Sequence, residues 1–206
     1  MEPTWLTLAR ELQAIAQTGL AFSDDSFDHE RYQRVRAIAG RLIAEGAGVE
    51  SERVLDLFAQ DTGYATPRVA LRAALFRDGG ILCVKEKSDG LWSLPGGWAD
   101  VNDSPSDCVV REIKEESGFD ARVVKLAAVY DTNRHRYQPP KLYQIYVLFF
   151  LCEITGGAAA PGLETDAVGF FAADALPPLS TVRILAPQIR RMFEHHRNPD
   201  LPTDFD

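Results

Sequence analysis

The part of the sequence that most restricts the fold is residues 97–119, GWADVNDSPSDCVVREIKEESGF. Ser104 is a favoured N-cap residue, Pro105 suits the first helical position, and Asp107 places an acidic residue in the first turn. Gly118 is a typical helix stop. This segment therefore predicts a helix over residues 105–117, with both of its ends specified locally.

The predicted helix carries a row of charged side chains. Glu112 and Glu116 are four residues apart and lie on the same side of a helix, so both can reach one ion. Glu115 flanks them, and Arg111 can hold the Glu115 carboxylate in place. In water, three carboxylates this close repel each other by a few tenths of a kcal/mol per pair, and Mg²⁺ or Mn²⁺ reverses that effect. Taken alone, such a charged string is usually a solvated helix face.

A tight turn, Leu94-Pro95-Gly96-Gly97, precedes this helix. Glycines in such a turn expose the backbone. We expect the turn to deliver a free carbonyl at Gly97 close to the acidic side of the helix. The sequence therefore favours a functional cluster over a solvated face.

The rest of the chain divides into a helical and a mixed part. Trp5, Leu8, Leu12 and Ile15 recur at helical spacing and predict one apolar stripe. After the linker at residues 61–67 come strand-like runs, at 69–76, 81–84, 123–130, 142–153 and 168–171, and a last helix from about 182 to 195. We predict an α+β protein with a helical domain over residues 1–63 and a second domain over residues 67–206.

Composition excludes several classes of function. The net charge of −8 argues against DNA or another nucleic acid as a partner, because such binding needs a basic face. The three cysteines, Cys83, Cys108 and Cys152, lack a Cys-x-x-Cys pair and are expected to be buried free thiols. No apolar run is long enough to cross a membrane, and the N-terminus has no signal peptide pattern, so the cytoplasm is the expected compartment.

The segment from Gly97 to Phe119 resembles the Nudix box, a motif with glycine, glutamate and arginine-glutamate positions at fixed spacing. Gly97, Arg111, Glu112 and the positions that follow match, namely Ile113, Glu115, Glu116 and Gly118. Asp103 departs from the pattern, which has glutamate there. The charge is kept but the reach is one methylene shorter, so we expect weakened or tuned metal affinity.

The resemblance implies a Nudix α/β/α sandwich with a mixed sheet and a metal-dependent hydrolase of diphosphate bonds. It implies that Glu112 and Glu116 ligate Mg²⁺ or Mn²⁺ together with the Gly97 carbonyl. Glu115 would assist through a further ion or its water, and Arg111 would orient the cluster.

The general base and the substrate contacts are less constrained. Many members of the family use a glutamate from a distant loop, and Glu164 lies in the expected region, with Asp166 as the alternative and a plain surface acid as the other explanation. Candidates for contact with phosphate or base are spread along the chain, and each could instead be an ordinary exposed or packing residue: Arg72, Trp98, Arg134 and His135.

The box with its flanking tryptophans, preceded by a helical domain, is similar to Nudix proteins that hydrolyse nucleoside diphosphates linked to another group, X. CDP-choline is the favoured substrate and ADP-ribose the alternative. A non-catalytic Nudix-fold nucleotide sensor, or an interaction module on a vestigial enzyme, would be a different class of protein. We expect a homodimer, because amphipathic helices bury their apolar stripe.

Overall fold

The computed structural model describes residues 3–206 and contains two compact units. One unit contains the chain up to Pro67 together with Leu142–Gln144, and the other contains Arg68–Lys141 and Ile145–Asp206. None of the helices formed by the described residues is both long and apolar enough to span a lipid bilayer. All three cysteines are buried and free, as predicted.

The first unit consists of three helices, α1 (Thr4–Phe22), α2 (Ser26–Ala47) and α3 (Ser51–Gln60). The side chain of Asp25 caps α2 by accepting the Asp28 N–H at 2.9 Å, and Gly48 ends the helix in the left-handed conformation. The core of this unit is small and is drawn from all three helices: Leu6, Ala9, Ala39, Ile43, Ala44, Val54 and Phe58.

The predicted apolar stripe of α1 is wrong in part. Leu8 and Ile15 are 52% and 50% exposed, whereas the buried residues of this helix are Leu6, Ala9, Gln13 and Ala16. Close packing explains the difference. A Cβ on Gly19 would lie 2.4 Å from the Tyr32 ring, so small residues set where the helices meet and the larger ones face outwards.

The second unit is built on a mixed sheet. Its strands are β1 (Arg68–Arg77), β2 (Gly80–Glu86), β3 (Trp92–Ser93), β4 (Phe119–Asp131), β5 (Ile145–Gly157), β6 (Thr165–Phe171) and β7 (Asp204–Phe205). The strand order is β3-β2-β1-β5-β4-β7, and β6 pairs with β2. The β1–β5 and β4–β7 pairs are parallel and the others antiparallel.

Two helices, α4 (Pro105–Ser117) and α5 (Ala186–Arg197), complete this unit. Alternate residues of a strand point to opposite faces of the sheet. In β1, Leu71 and Leu75 share one buried cluster with Ile113 of α4, while Ala74 belongs to a second cluster with Met192 of α5. This arrangement is the predicted α+β sandwich, which is confirmed.

Several predicted element boundaries are wrong by three or four residues. β4 begins at Phe119 rather than 123, and β6 begins at Thr165 rather than 168. The last helix begins at Ala186 and not near residue 182, because the Ile184 N–H instead donates to Ser180 in a turn and Pro187 suits the first helical turn. The long strand begins at Ile145, and Leu142–Gln144 belong to the helical unit.

Candidate active site

The acidic helix α4 has the ends that the sequence predicts. Ser104 accepts the Asp107 N–H at 3.2 Å, Pro105 opens the helix, and Gly118 ends it at φ 76°. Because the ends are fixed, Glu112 and Glu116 come to lie beside the turn that precedes the helix.

That turn requires glycine at position 96 and is closely packed at position 97. Gly96 has a φ of 140°, and a Cβ there would lie 2.1 Å from the Leu71 carbonyl oxygen. A Cβ on Gly97 would lie 3.0 Å from Oε1 of Glu112. The Gly97 carbonyl is not free, since it accepts the Leu71 N–H at 2.8 Å, and it therefore keeps one lone pair for another partner.

Glu116 is a buried carboxylate. It is 6% exposed and accepts the Gly96 N–H at 2.8 Å. Burial raises the pKa of Glu116 to about 7, although the nearby Arg72 opposes that shift. Burial also raises the pKa of Glu112. Glu116 is buried and the Glu112 side chain is largely buried, at 14% exposure, so the two carboxylates on one helix face create a demand for positive charge.

Arg111 supplies part of that charge. Its Nη1 lies 3.0 Å from Glu112 Oε1 and 3.0 Å from Glu115 Oε2. The same guanidinium binds Asp100 at 2.7 Å and Asp103 at 3.2 Å. Asp103, at the position where the Nudix motif has glutamate, therefore contacts the arginine that gathers the cluster.

The Gly96-Gly97 turn and the side of α4 with Glu112, Glu115 and Glu116 form one wall of a cleft. The residues of this wall fit a divalent cation of the Mg²⁺ type. In residues 3–206 no three His, Cys, Asp or Glu side chains converge in a ready-made ligand set. Mg²⁺ does not need one, because it is commonly held by one or two carboxylates and completes its shell with water and substrate phosphate. The absence of a Cβ on Gly97 leaves space directly against the Glu112 carboxylate. Glu112, Glu116 and the second lone pair of the Gly97 carbonyl are the groups that would hold the ion.

The wall opens onto a cleft of about 920 Å³ in the second unit. Among the predicted residues, the cleft is lined by Gly97, Arg111, Glu112, Glu115 and Glu116, and by Arg72, Trp98 and Glu164. Asp166, Arg134 and His135 are not among its lining residues. Instead, His135 Nε2 lies 3.0 Å from Asp206 Oδ1.

The side chain of Arg72 holds the glycine turn in place through hydrogen bonds to its backbone. It is 8% exposed, and its Nη1 donates to the carbonyl oxygens of Leu94 and Gly96. Its charge also lies near Glu116 and Glu86. Arg72 thus joins β1 to the turn and to the buried carboxylate of α4. Its Nε is buried and has no hydrogen-bond partner in the described residues.

Other charged residues of the cleft were not predicted from the sequence. Glu86 is buried at the end of β2, and Arg183 Nε lies 3.3 Å from its Oε1. Lys141 Nζ donates to the Val182 carbonyl oxygen. The only available hint was the Lys-Glu-Lys string at residues 85–87, which places an acid at the end of an apolar strand.

The carboxylates of α4 line a cleft of the sandwich, with Glu116 buried, which argues against a plain solvated helix face. Residues 66–193 match the NUDIX domain, and residues 3–58 match a domain described as the UDP-X-like, N-terminal oligomerisation domain. The chain belongs to the Nudix family, and it is a Nudix hydrolase.

Several relatives cover much of the chain. YjhB of Bacillus subtilis (strain 168), provisionally named an ADP-ribose pyrophosphatase, is 42% identical over 206 residues, which is 100% of this chain and 99% of that protein. The crystal structure of a UDP-X diphosphatase is 33% identical, covers 98% of each chain and has a TM-score of 0.64. An ADP-ribose pyrophosphatase structure from Streptococcus suis is 42% identical, covers 68% of this chain and 100% of its own, and has a TM-score of 0.62.

Proposed function

We propose that the protein hydrolyses the diphosphate bond of a nucleoside diphosphate linked to a group X, releasing a nucleoside monophosphate and phosphorylated X. The observation that carries the proposal is the pair of carboxylates, the buried Glu116 and the largely buried Glu112, beside a glycine turn on the wall of a cleft of about 920 Å³. A cleft of this size accommodates a nucleotide with an attached sugar or headgroup.

In this reaction the oxygen of a water molecule bonds to phosphorus, and the anhydride P–O bond breaks with its electron pair leaving on the departing phosphate. Glu112 and Glu116 would hold the cation, which would supply positive charge to neutralise the diphosphate and the leaving group. Glu164 is the proposed base that takes the proton of the water. Arg111 holds Glu115 and Glu112 in place. Trp98, which is half exposed at the cleft, is the proposed stacking surface for the base.

The identity of X is the finer part of the proposal. Two relatives are named as ADP-ribose pyrophosphatases and one as a UDP-X diphosphatase, so ADP-ribose or another nucleotide sugar is the first substrate to test. CDP-choline, which the sequence favoured, is the second.

The substrate proposal predicts a defined set of products. With Mg²⁺ or Mn²⁺, ADP-ribose is expected to give AMP and ribose phosphate, and CDP-choline to give CMP and phosphocholine at a lower kcat/KM. Chromatography of the products over a panel that includes NADH and an oxidised nucleoside triphosphate tests this. Chelation of the metal should stop the reaction. Turnover of none of these compounds with either metal would favour a nucleotide sensor.

We further propose that the helical unit forms a homodimer. Leu8, Ile15 and Phe22 recur every seven residues along one face of α1 and are 52%, 50% and 68% exposed. Seven residues are close to two helical turns, so these side chains form one exposed apolar stripe. The oligomerisation domain matched by this unit supports the same proposal.

The dimer proposal predicts the effect of one added charge. Ile15→Asp is expected to shift the protein from dimer to monomer in multi-angle light scattering, because a carboxylate in an apolar interface is costly to bury. Val101→Asp adds the same charge to an exposed apolar residue of the other unit and should leave the mass unchanged. A monomeric wild-type protein, or an unaffected Ile15→Asp dimer, would contradict the proposal.

A further inference from the structure

The C-terminal end of α4 leaves its last carbonyl groups without intrahelical partners. The Gly118 N–H donates to the Lys114 carbonyl at 3.0 Å and closes the helix. The carbonyls of Glu115, Glu116 and Ser117 point past this last bond, as the final carbonyls of any helix do. They need other partners, because Glu116 and Ser117 are buried.

The segment of residues 160–165 supplies these partners. The Ala160 N–H donates to the Ser117 carbonyl at 2.9 Å, and the Thr165 hydroxyl donates to the Glu116 carbonyl at 2.8 Å. Gly162 packs on the third carbonyl so closely that a Cβ would lie 1.9 Å from the Glu115 oxygen. Three consecutive helix carbonyls are thus covered by one short segment.

Thr165 joins the two sides of this contact. Its hydroxyl is part of a side chain that is 1% exposed. The oxygen donates to α4 and accepts the Gly162 N–H at 2.8 Å, so one atom fixes both the helix end and the turn that leads to Glu164.

Lys87 holds the same segment from the side of β2. Its N–H donates to the Glu164 carbonyl at 2.9 Å, and its Nζ donates to the carbonyls of Leu163 and Gly162 at 2.7 Å and 3.2 Å. The backbone of Glu164 therefore lies between two anchors, one of which is the helix that carries Glu112 and Glu116.

We infer that Thr165 is a positioning residue that sets the Glu164 carboxylate in register with the acidic face of α4. This inference rests on the proposed role of Glu164 as the base. A base must lie within hydrogen-bond reach of the proton that it removes, and a displacement of about 1 Å can cost about a hundredfold in rate. A loop anchored on the helix that would hold the metal keeps that distance fixed.

The test removes the hydroxyl and keeps the shape of the side chain. Thr165→Val is expected to lower kcat by about ten- to a hundredfold with KM changed less than about twofold. Thr165→Ser, which restores the hydroxyl, should return kcat to within about threefold of wild type. Thr203→Val is the matched control, because the Thr203 hydroxyl donates to the Leu126 carbonyl at 2.8 Å outside the residues lining the cleft.

A double-mutant cycle with Glu164→Gln separates positioning from a general structural effect. If Thr165 acts through Glu164, Thr165→Val lowers kcat little further in the Glu164→Gln protein. Titration of Mn²⁺ into Thr165→Val should give an affinity within about twofold of wild type, because the Thr165 hydroxyl contacts the backbone carbonyl of Glu116 and not its carboxylate.

Three outcomes overturn the inference while wild type remains active: an unchanged kcat for Thr165→Val, an equal loss with and without Glu164, or a weakened Mn²⁺ affinity. A wild-type protein that hydrolyses no nucleoside diphosphate-X compound overturns the proposed function itself.

Discussion

Replacement of Glu116 by glutamine is expected to lower kcat/KM for ADP-ribose by more than about a hundredfold. Loss of a residue that only supports a metal ligand typically costs 10- to 100-fold in affinity or activity, so loss of a proposed ligand should cost at least that much. Glutamine keeps an oxygen that can accept the Gly96 N–H, which preserves the fold of the turn while removing the charge. Steady-state kinetics with saturating Mg²⁺ measures the effect.

A second measurement separates the loss of metal from other causes. Binding of Mn²⁺, followed by calorimetry in the absence of nucleotide, should weaken in Glu116→Gln in parallel with activity. Glu153→Gln changes an exposed glutamate that pairs with Arg122, and it should retain both properties. Full activity of Glu116→Gln would show that the assigned ligand is wrong.

The helix that carries these residues was predictable because its signals are local. Ser104, Pro105 and Gly118 act on backbone groups within one helical turn, and each has a physical preference for its position. The same argument explains why the sandwich could be predicted, since strand and helix periodicities are properties of short segments. The carboxylates proposed to hold the metal could be grouped from the sequence for a similar reason, because they share one helix and lie next to the turn before it.

The opposite side of the cleft was not predictable because its contacts join distant parts of the chain. Glu86 meets Arg183 nearly a hundred residues later, and Lys141 meets Val182. Neither pair forms a local pattern. Tertiary contacts also explain why His135 does not line the cleft, since it is paired with Asp206.

In the first unit, small residues set where α1 and α2 pack together, and the spacing of large apolar residues does not show where those small residues make contact. Glycines at the contacts of α1 and α2 allow the helices to approach closely. A Cβ added to Gly46 would lie 2.5 Å from carbon atoms of the Trp5 ring. The larger residues Leu8 and Ile15 consequently remain outside. The apolar spacing therefore predicted that α1 is an amphipathic helix, but it did not predict which face of α1 packs against the other helices of the chain.

The largest expected loss of stability comes from Asp204 in β7. Its carboxylate accepts two hydrogen bonds from Arg191, at 2.5 Å and 2.7 Å, and one from Tyr130 at 3.1 Å, and it lies 3.0 Å from Nε2 of the fully buried His195. These hydrogen bonds, first of all those from Arg191, hold the pKa of Asp204 well below its usual range. Asp204→Asn removes the negative charge, and its NH₂ group would face the N–H groups of Arg191 and the hydroxyl of Tyr130, which also donate. Because Arg191 is partly exposed, we expect a loss of about 1–2 kcal/mol, which lowers Tm by several degrees.

The pH dependence of this loss has a definite sign. A carboxyl group whose pKa is depressed by folding stabilises the protein above its unfolded pKa, near 4, and loses that contribution as the pH falls through the folded value. The difference in Tm between wild type and Asp204→Asn should therefore be full at pH 7 and shrink progressively below about pH 4. Thermal melts at pH 7 and at pH 3 measure it, with the exposed Asp200→Asn variant as the control that should match wild type. A difference that stays constant between the two pH values would show that the charge of Asp204 does not stabilise the fold.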